Sequence, residues 1–522
     1  RRDFCKGLAV TLAAGTLAPA AALPQAGAAT ALVGRAVPDD YYTLWYRSDR
    51  CGADLRHDYY YSDSLFDHPA TEYDNQLALT TLGMAAAADC PWESDQRYWM
   101  EGEVGRADHI RDAFAKLGFT EVQLFNYTHS LNDTPDTVGC AVARKTLVRG
   151  GRQVTIIGAF LRGSGYGAEW SGNLHAGPGS AHVGFVTATR QLVEKIRAYI
   201  QTSAKRQPLG TLKLWMGGYS RGGGVANLVA ARLPAVLPQL EKKNTYVYTF
   251  AAPASLTAAD CPDLQQDFDN NHAADGSLKK NWGTSNIFNI VSSGDVIPRI
   301  LPAEWGFYRN GNDRFLPSTV IPEELQALND RSTRMEGTPI DFGRLAVTEE
   351  ADAVLRSMMD LFCDRQTYYK GYEDAMRCML QCATTRTEEE VTRGIVRDDA
   401  AVVAQLRSME LMQRFPQEKL ERCVQAASAL SRPVLEKLGS AVPLQAQQIV
   451  IPMLAVGLCF ELQPETVQLV ADFVLSTITV EGQLSGILKT VLCHFQENYI
   501  TVLEAYDPAD HGMTPYTRRE EL

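Results

Sequence analysis

Apolar positions change their period several times along the 522-residue chain, and the changes divide it. The segments "RQVTIIGAFL" (152–161) and "TLKLWM" (211–216) are short apolar runs of the kind that fill a strand covered on both faces. Further strands are expected at "TEVQLFNY" (120–127), "VGCAVARKTL" (138–147), "TYVYTFAAP" (245–253) and "NIFNIVSS" (286–293). Helical spacing runs through "NQLALTTLGMAAAA" (75–88), "ADHIRDAFAKLGF" (107–119) and "AHVGFVTATRQLVEKIRAYIQ" (181–201), then again from Val225 to Leu233. Such alternation predicts an α/β fold, a doubly wound and mostly parallel sheet.

From about 320 to 505 strand signals nearly vanish. "ADAVLRSMMDLF", "DAMRCMLQCA", "DAAVVAQLRSMELMQRF", "KLERCVQAASAL" and "ETVQLVADFVLSTI" are all helical patterns, so 320–505 is expected to be a large all-helical insertion, a lid or cap. Its methionines, Met358, Met359, Met376, Met379, Met409 and Met412, read as helix core. "IVIPMLAVGLCFEL" (449–462) carries Pro452 and is short for a membrane span, which favours a buried core helix or part of the lid. The α/β core is expected over 29–319. It starts with an arm at 39–74 whose many tyrosines show no clean period and is left irregular, and 506–522 returns to the core.

The start, "RRDFCKGLAVTLAAGTLAPAAALPQAGAA", has the basic, apolar and small-residue order of a signal peptide over 1–28, with Ala26-Gly27-Ala28 as an AxA site. Arg1, Arg2, Phe4 and Lys6 fit the twin-arginine type, so export across a bacterial cytoplasmic membrane is expected. Removing Cys5 with the signal leaves ten cysteines, an even set that permits disulfides; Cys378 and Cys382 lie one helical turn apart and can reach a neighbouring helix. A net charge of −12 without a Lys/Arg stripe argues against nucleic acid as a partner. No zinc spacing is found, and "DFDNNHAADGS" (267–277) lacks the spacing of a calcium loop; neither metal nor cofactor is expected.

The candidate chemistry sits in "MGGYSRGGGVA" (216–226), where Ser220 falls in GxSxG between a strand and a helix. On such a turn the serine backbone is strained, and glycines let strand and helix approach. A phosphate loop is the other use of a Gly-rich turn, but its GK[ST] ending is missing. Serine needs a base, and the base an acid. Asp295 follows the strand at 286–293, on the edge where such sheets build sites. Of the histidines after Ser220, His272 precedes Asp295 in a polar loop and His494 lies in a helical pattern. His511, on the Pro/Gly-punctuated "YDPADHGMTPY", is expected to be the base. Ser164, after the strand at 152–161, and the backbone N–H of Arg221 are expected to hold an oxyanion.

Taken together, "FLRGS", "HVGF", "GGYSRGG", "SGDVIPRILPAEWGF" and a late histidine resemble the class 3 lipase family of α/β-hydrolases, over about 60 to 315 and the last dozen residues. The resemblance implies that Ser164 is the oxyanion residue, Ser220 the nucleophile and Asp295 the acid, and that His182 supports the elbow. It also implies a carboxylic ester hydrolase acting on acylglycerols or other lipid esters, with transient contact to a lipid surface. Two positions depart from the family: Tyr219 stands for its usual histidine and Arg221 for its usual leucine. A phospholipase or acyltransferase with the same triad, and a non-catalytic binding protein on the same fold, are the competing readings.

Overall fold

The computed structural model describes residues 35–48, 54–89, 107–127, 136–164, 167–179, 181–257, 284–292, 294–301, 305–316, 356, 364–384, 390, 393–439, 444–467 and 493–505. The expected signal segment 1–28, the loop 267–277 and the segment 506–522 with His511 lie outside them.

The first described elements correct the expectation of an irregular arm. β1 (Asp40–Arg47) and β2 (Asp54–Tyr61) pair antiparallel along their whole length, Asp40 opposite Tyr61 and Arg47 opposite Asp54. Leu44 and Tyr46 on β1, with Leu55, Tyr59 and Tyr61 on β2, form the buried side. Tyrosines populate both faces of this ribbon, so the period of two is invisible to a reading by polarity. Next comes α1 (Asn75–Ala88), with the expected bounds; Asp74 caps it by accepting from the Leu77 N–H at 2.7 Å. It is buried almost all round, consistent with a sequence apolar on every face.

α2 (Asp108–Lys116) leads into β3 (Thr120–Phe125), β4 (Cys140–Arg149) and β5 (Arg152–Leu161). Gly150 and Gly151, both at positive φ, make the two-residue hairpin between β4 and β5. α3 (Gly167–Gly172) and α4 (Val183–Arg206) precede β6 (Thr211–Tyr219), followed by α5 (Arg221–Val236), β7 (Thr245–Phe250), β8 (Leu256–Thr257), β9 (Ile287–Ser292), β10 (Phe307–Tyr308) and β11 (Asn312–Leu316). Seven strands form one sheet in the order β11-β9-β7-β6-β5-β4-β3, parallel from β11 to β5 and antiparallel across β5, β4 and β3.

The doubly wound expectation holds, because both faces of the sheet are covered. On β6, Trp215 packs with α1, α2, β1 and β2, while Leu214 and Met216 pack with α4 and α5. Burying side chains of this size contributes about 2 to 3 kcal/mol each. The C-terminal ends of the parallel strands β5, β6, β7 and β9 consequently emerge along one edge of the sheet.

The described part of the helical region includes helical turns over Arg365–Thr367 and Tyr368–Tyr372 and the helices α6 (Glu373–Thr384), α7 (Asp399–Ser408), α8 (Gln417–Leu438) and α9 (Leu444–Cys459). Met376, Met379, Met409 and Met412 are buried in its core, which also takes in Ala176, Val296, Leu301 and Phe307 from the α/β part. Among the described residues no helix is long and apolar enough to cross a membrane. Cys140, Cys378, Cys382, Cys423 and Cys459 are free thiols, so the bridge that Cys378 and Cys382 permit is not formed. The chain is back at the sheet earlier than expected: α10 (Gln496–Ala505) packs Tyr499, Ile500 and Leu503 into the cluster of α1, and Asn75 donates to the Leu503 carbonyl at 3.2 Å.

Candidate active site

Ser220 joins β6 to α5 at φ 54°, ψ −126°, a conformation that costs a residue with a Cβ about 1 to 3 kcal/mol. The surroundings enforce it. The Ser220 N–H donates to the Phe250 carbonyl at 2.9 Å, and the Ser220 carbonyl accepts from the Gly224 N–H at 3.0 Å. A Cβ on Gly222 would lie 2.4 Å from the carbonyl oxygens of Leu161 and Arg162, and one on Gly218 would lie 2.4 Å from that of Gly222. The glycines let α5 start against the end of β5, and the strained residue left between them is the serine.

The histidine on Ser220 is His494, not His511. His494 Nε2 lies 2.8 Å from Ser220 Oγ, and its Nδ1 lies 2.8 Å from Asp295 Oδ2. Asp295 is a carboxylate and only accepts, so Nδ1 carries the proton and Nε2 offers its lone pair to the serine hydroxyl. The helical pattern around His494 concealed it, because the helix proper starts at Gln496 and His494 stands on the turn before it. Glu497 in the first turn of α10 is the signal of that start.

Tyrosines hold the histidine and its acid. The Tyr219 hydroxyl donates to the His494 carbonyl, and the two rings lie 5.4 Å apart. The Tyr499 hydroxyl donates to Asp295 Oδ2 at 2.7 Å and accepts from the Ser292 N–H at 3.0 Å. Burial pushes both phenols well above their ordinary range, so both remain donors. Asp295 Oδ1 accepts from the Ile297 N–H at 2.9 Å. The Asp295 side chain is fully shielded while His494 keeps 17 % exposure, which leaves the imidazole open to a substrate and the carboxylate closed to water. Tyr219, the residue that departs from the family pattern beside Ser220, therefore ties down the main chain of His494.

On the other side, β5 runs into Arg162, Gly163 and Ser164. Arg162 is buried in an ion pair with Glu169 at 2.7 Å, supported by Thr137, and Asp89 accepts from the Gly163 N–H at 3.1 Å. Ser164 Oγ accepts from Asn173 Nδ2 at 3.0 Å, and Asn173 Oδ1 accepts from Arg221 Nη1 at 2.8 Å. Arg221 is buried over the Phe185 ring, 5.1 Å from its centroid, and also donates to the Thr137 carbonyl. The expected residues Ser164 and Arg221 are thus linked through Asn173, which the sequence did not single out. His182 caps α4: its Nδ1 accepts from the Phe185 N–H at 3.3 Å and its Nε2 lies 3.0 Å from the Asn173 carbonyl. Burial first, then the charge of Arg221, pulls His182 down to about 3, so this imidazole is neutral. Among the described residues no group of three His, Cys, Asp or Glu side chains is arranged to hold a metal ion.

Residues 163–305 match the family model described as Lipase (class 3). The match takes in Ser164, Ser220 and Asp295 and stops short of His494. The triacylglyceride lipase of Rhizomucor miehei is similar to this chain at 20 % identity over 46 % of this chain and 79 % of its own, with a TM-score of 0.32. A lipase from Rhizopus microsporus var. chinensis is similar at 17 % identity over 47 % and 75 %, with a TM-score of 0.31. Lipase II from Rhizopus niveus gives 17 % over 45 % and 78 %, with a TM-score of 0.28. No curated protein matches the chain. The family match supports a hydrolase of lipase type.

Proposed function

We propose that the protein is a serine carboxylic ester hydrolase that cleaves acylglycerols or other lipid esters through an acyl-enzyme. The observation that carries this reading is the unbroken hydrogen-bond line Ser220 Oγ, His494, Asp295, at 2.8 Å for each link. Ser220 Oγ attacks the ester carbonyl carbon as its proton passes to His494 Nε2, and Asp295 stabilises the imidazolium. The oxyanion of the tetrahedral intermediate is held by Ser164 and the Arg221 amide at the start of α5. As the C–O bond to the alcohol breaks, His494 returns the proton to the leaving oxygen. Water then attacks the acyl carbon as His494 takes its proton, and the acid leaves as the bond to Ser220 Oγ breaks and His494 returns that proton to Oγ.

The test is fatty acid release from a triacylglycerol emulsion and from phospholipid vesicles, by wild type and Ser220→Ala. Release from the emulsion that vanishes in the variant supports the reading. Full release by Ser220→Ala overturns it, and release from phospholipid alone moves the substrate to the phospholipase class. The proposal includes export by the twin-arginine route, checked by whether changing Arg1 and Arg2 to Lys keeps the protein in the cytoplasm of a bacterial host.

A further inference from the structure

Segment 173–179, which supplies Asn173, is gripped from two sides. From the α/β part, Arg221 and His182 hold Asn173, and Asp136 Oδ2 holds His175 Nδ1 at 2.8 Å. From the helical region, the Tyr368 hydroxyl donates to the Leu174 carbonyl at 3.0 Å. Glu373, at the start of α6 and 3 % exposed, accepts from the Gly177 N–H at 2.9 Å and lies 3.6 Å from His175 Nε2. Arg365 donates to the carbonyls of Gly177 and Gly179, at 3.0 and 2.6 Å, with its guanidinium 4.6 Å from the Phe307 ring centroid. Ala176 is buried in the helical region's own core.

We infer that the helical region is a working part of the oxyanion side of the site: Glu373, Tyr368 and Arg365 are positioning residues that fix Asn173, and through it Ser164. The inference rests on the reading of Ser164 as an oxyanion residue. Its chemistry lies in the direction of one hydrogen bond. Arg221 donates to Asn173 Oδ1, which turns Nδ2 toward Ser164 Oγ. The serine hydroxyl accepts there and keeps its own proton to donate to a developing oxyanion. Sliding segment 173–179 releases that hydroxyl. A cap that merely covers the substrate would have no reason to hold this segment by three side chains.

The experiment compares wild type, Glu373→Ala and Glu373→Gln on a water-soluble short-chain nitrophenyl ester, with thermal melting to confirm folding. Glu373→Ala should lower kcat about tenfold with KM within about twofold, the size expected for a displaced rather than deleted donor. Glu373→Gln should recover most of kcat, because its amide oxygen still accepts from the Gly177 N–H. A raised KM with kcat intact overturns the inference. If Glu373→Ala does not fold, Tyr368→Phe, which loses one hydroxyl, should lower kcat about threefold; wild-type kcat there overturns it equally.

Amide hydrogen exchange provides an arm independent of hydrolysis. Glu373→Ala should speed exchange in the peptides carrying Gly163, Ser164 and Asn173 to Gly177. Faster exchange confined to 364–384 contradicts the coupling whether or not the chain cleaves esters. Coupled exchange in a protein that cleaves none sinks the proposed activity and leaves the coupling standing.

Discussion

The two partners of the central hydrogen bond are held by opposite means. Ser220 is fixed by main chain: a left-handed φ of 54°, a bond to the Phe250 carbonyl, and glycines whose missing Cβ atoms let α5 press on β5. His494 is fixed by side chains from distant parts of the sequence: Tyr219 on its carbonyl, Asp295 on its Nδ1, Tyr499 on Asp295, and Gln496 of its own turn donating to the buried Asp89. A serine held by backbone tolerates changes in distant chain but no added methyl group on the glycines around it. A histidine held by hydroxyls and carboxylates can be delivered from beyond a long insertion, at the cost of depending on each tether.

The largest expected effect is on the histidine side. Asp295→Asn should lower kcat/KM by about 10⁴-fold, because an amide no longer selects the Nδ1–H tautomer or stabilises the imidazolium; steady-state kinetics on a soluble ester checks it, and a loss below tenfold would remove Asp295 from the chemistry. On the serine side, Gly222→Ala should destabilise the fold by about 3 kcal/mol in urea unfolding, since its Cβ meets two carbonyl oxygens at 2.4 Å that belong to a buried strand end. Tyr219→Phe sharpens the contrast. It should leave the elbow intact, cost about 1 kcal/mol of stability and lower kcat about tenfold through a loosened imidazole; unchanged kcat would mean that Tyr499 and Asp295 suffice.

A further effect concerns acid. His182 is depressed from 6.5 to about 3, first by burial and then by Arg221. A depressed group contributes stability that is complete above its unfolded value and is lost as the pH falls toward its folded value. His182 should therefore remove up to about 1.4 kcal/mol per pH unit between 6.5 and about 3. Asp136 is pushed up by burial but held below its ordinary range by His175, with help from Arg221 and Arg377, so it adds loss only in the acidic part of that window. Glu373 is raised by burial, so its contribution has the opposite sign and grows as the pH falls. The difference in urea midpoint between wild type and His182→Asn, which keeps an N-capping side chain, isolates the histidine. Parallel curves from pH 7 to 5 would contradict a buried neutral His182.

What could be read from sequence follows the same division. The elbow is local, a strand, a glycine-flanked serine and a helix in one continuous stretch from Thr211 to Val236, so period and motif suffice, and α1 and β5 have the bounds their apolar runs predict. Asp295 follows from its place after a strand. His494 could not be read this way, because what selects it over His511 is a set of contacts with Ser220, Tyr219 and Asp295 across more than 190 positions. Asn173 has no motif of its own and matters only because Arg221 turns its amide. The ribbon β1/β2 was hidden by tyrosine, which serves a buried face and a wet one alike.

The most direct measurement is intact-protein mass after treatment with a fluorophosphonate, on wild type and on Ser220→Ala, His494→Ala and His511→Ala. The account predicts one adduct on wild type and on His511→Ala, and none on Ser220→Ala or His494→Ala. Labelling that survives in His494→Ala and disappears in His511→Ala would contradict it.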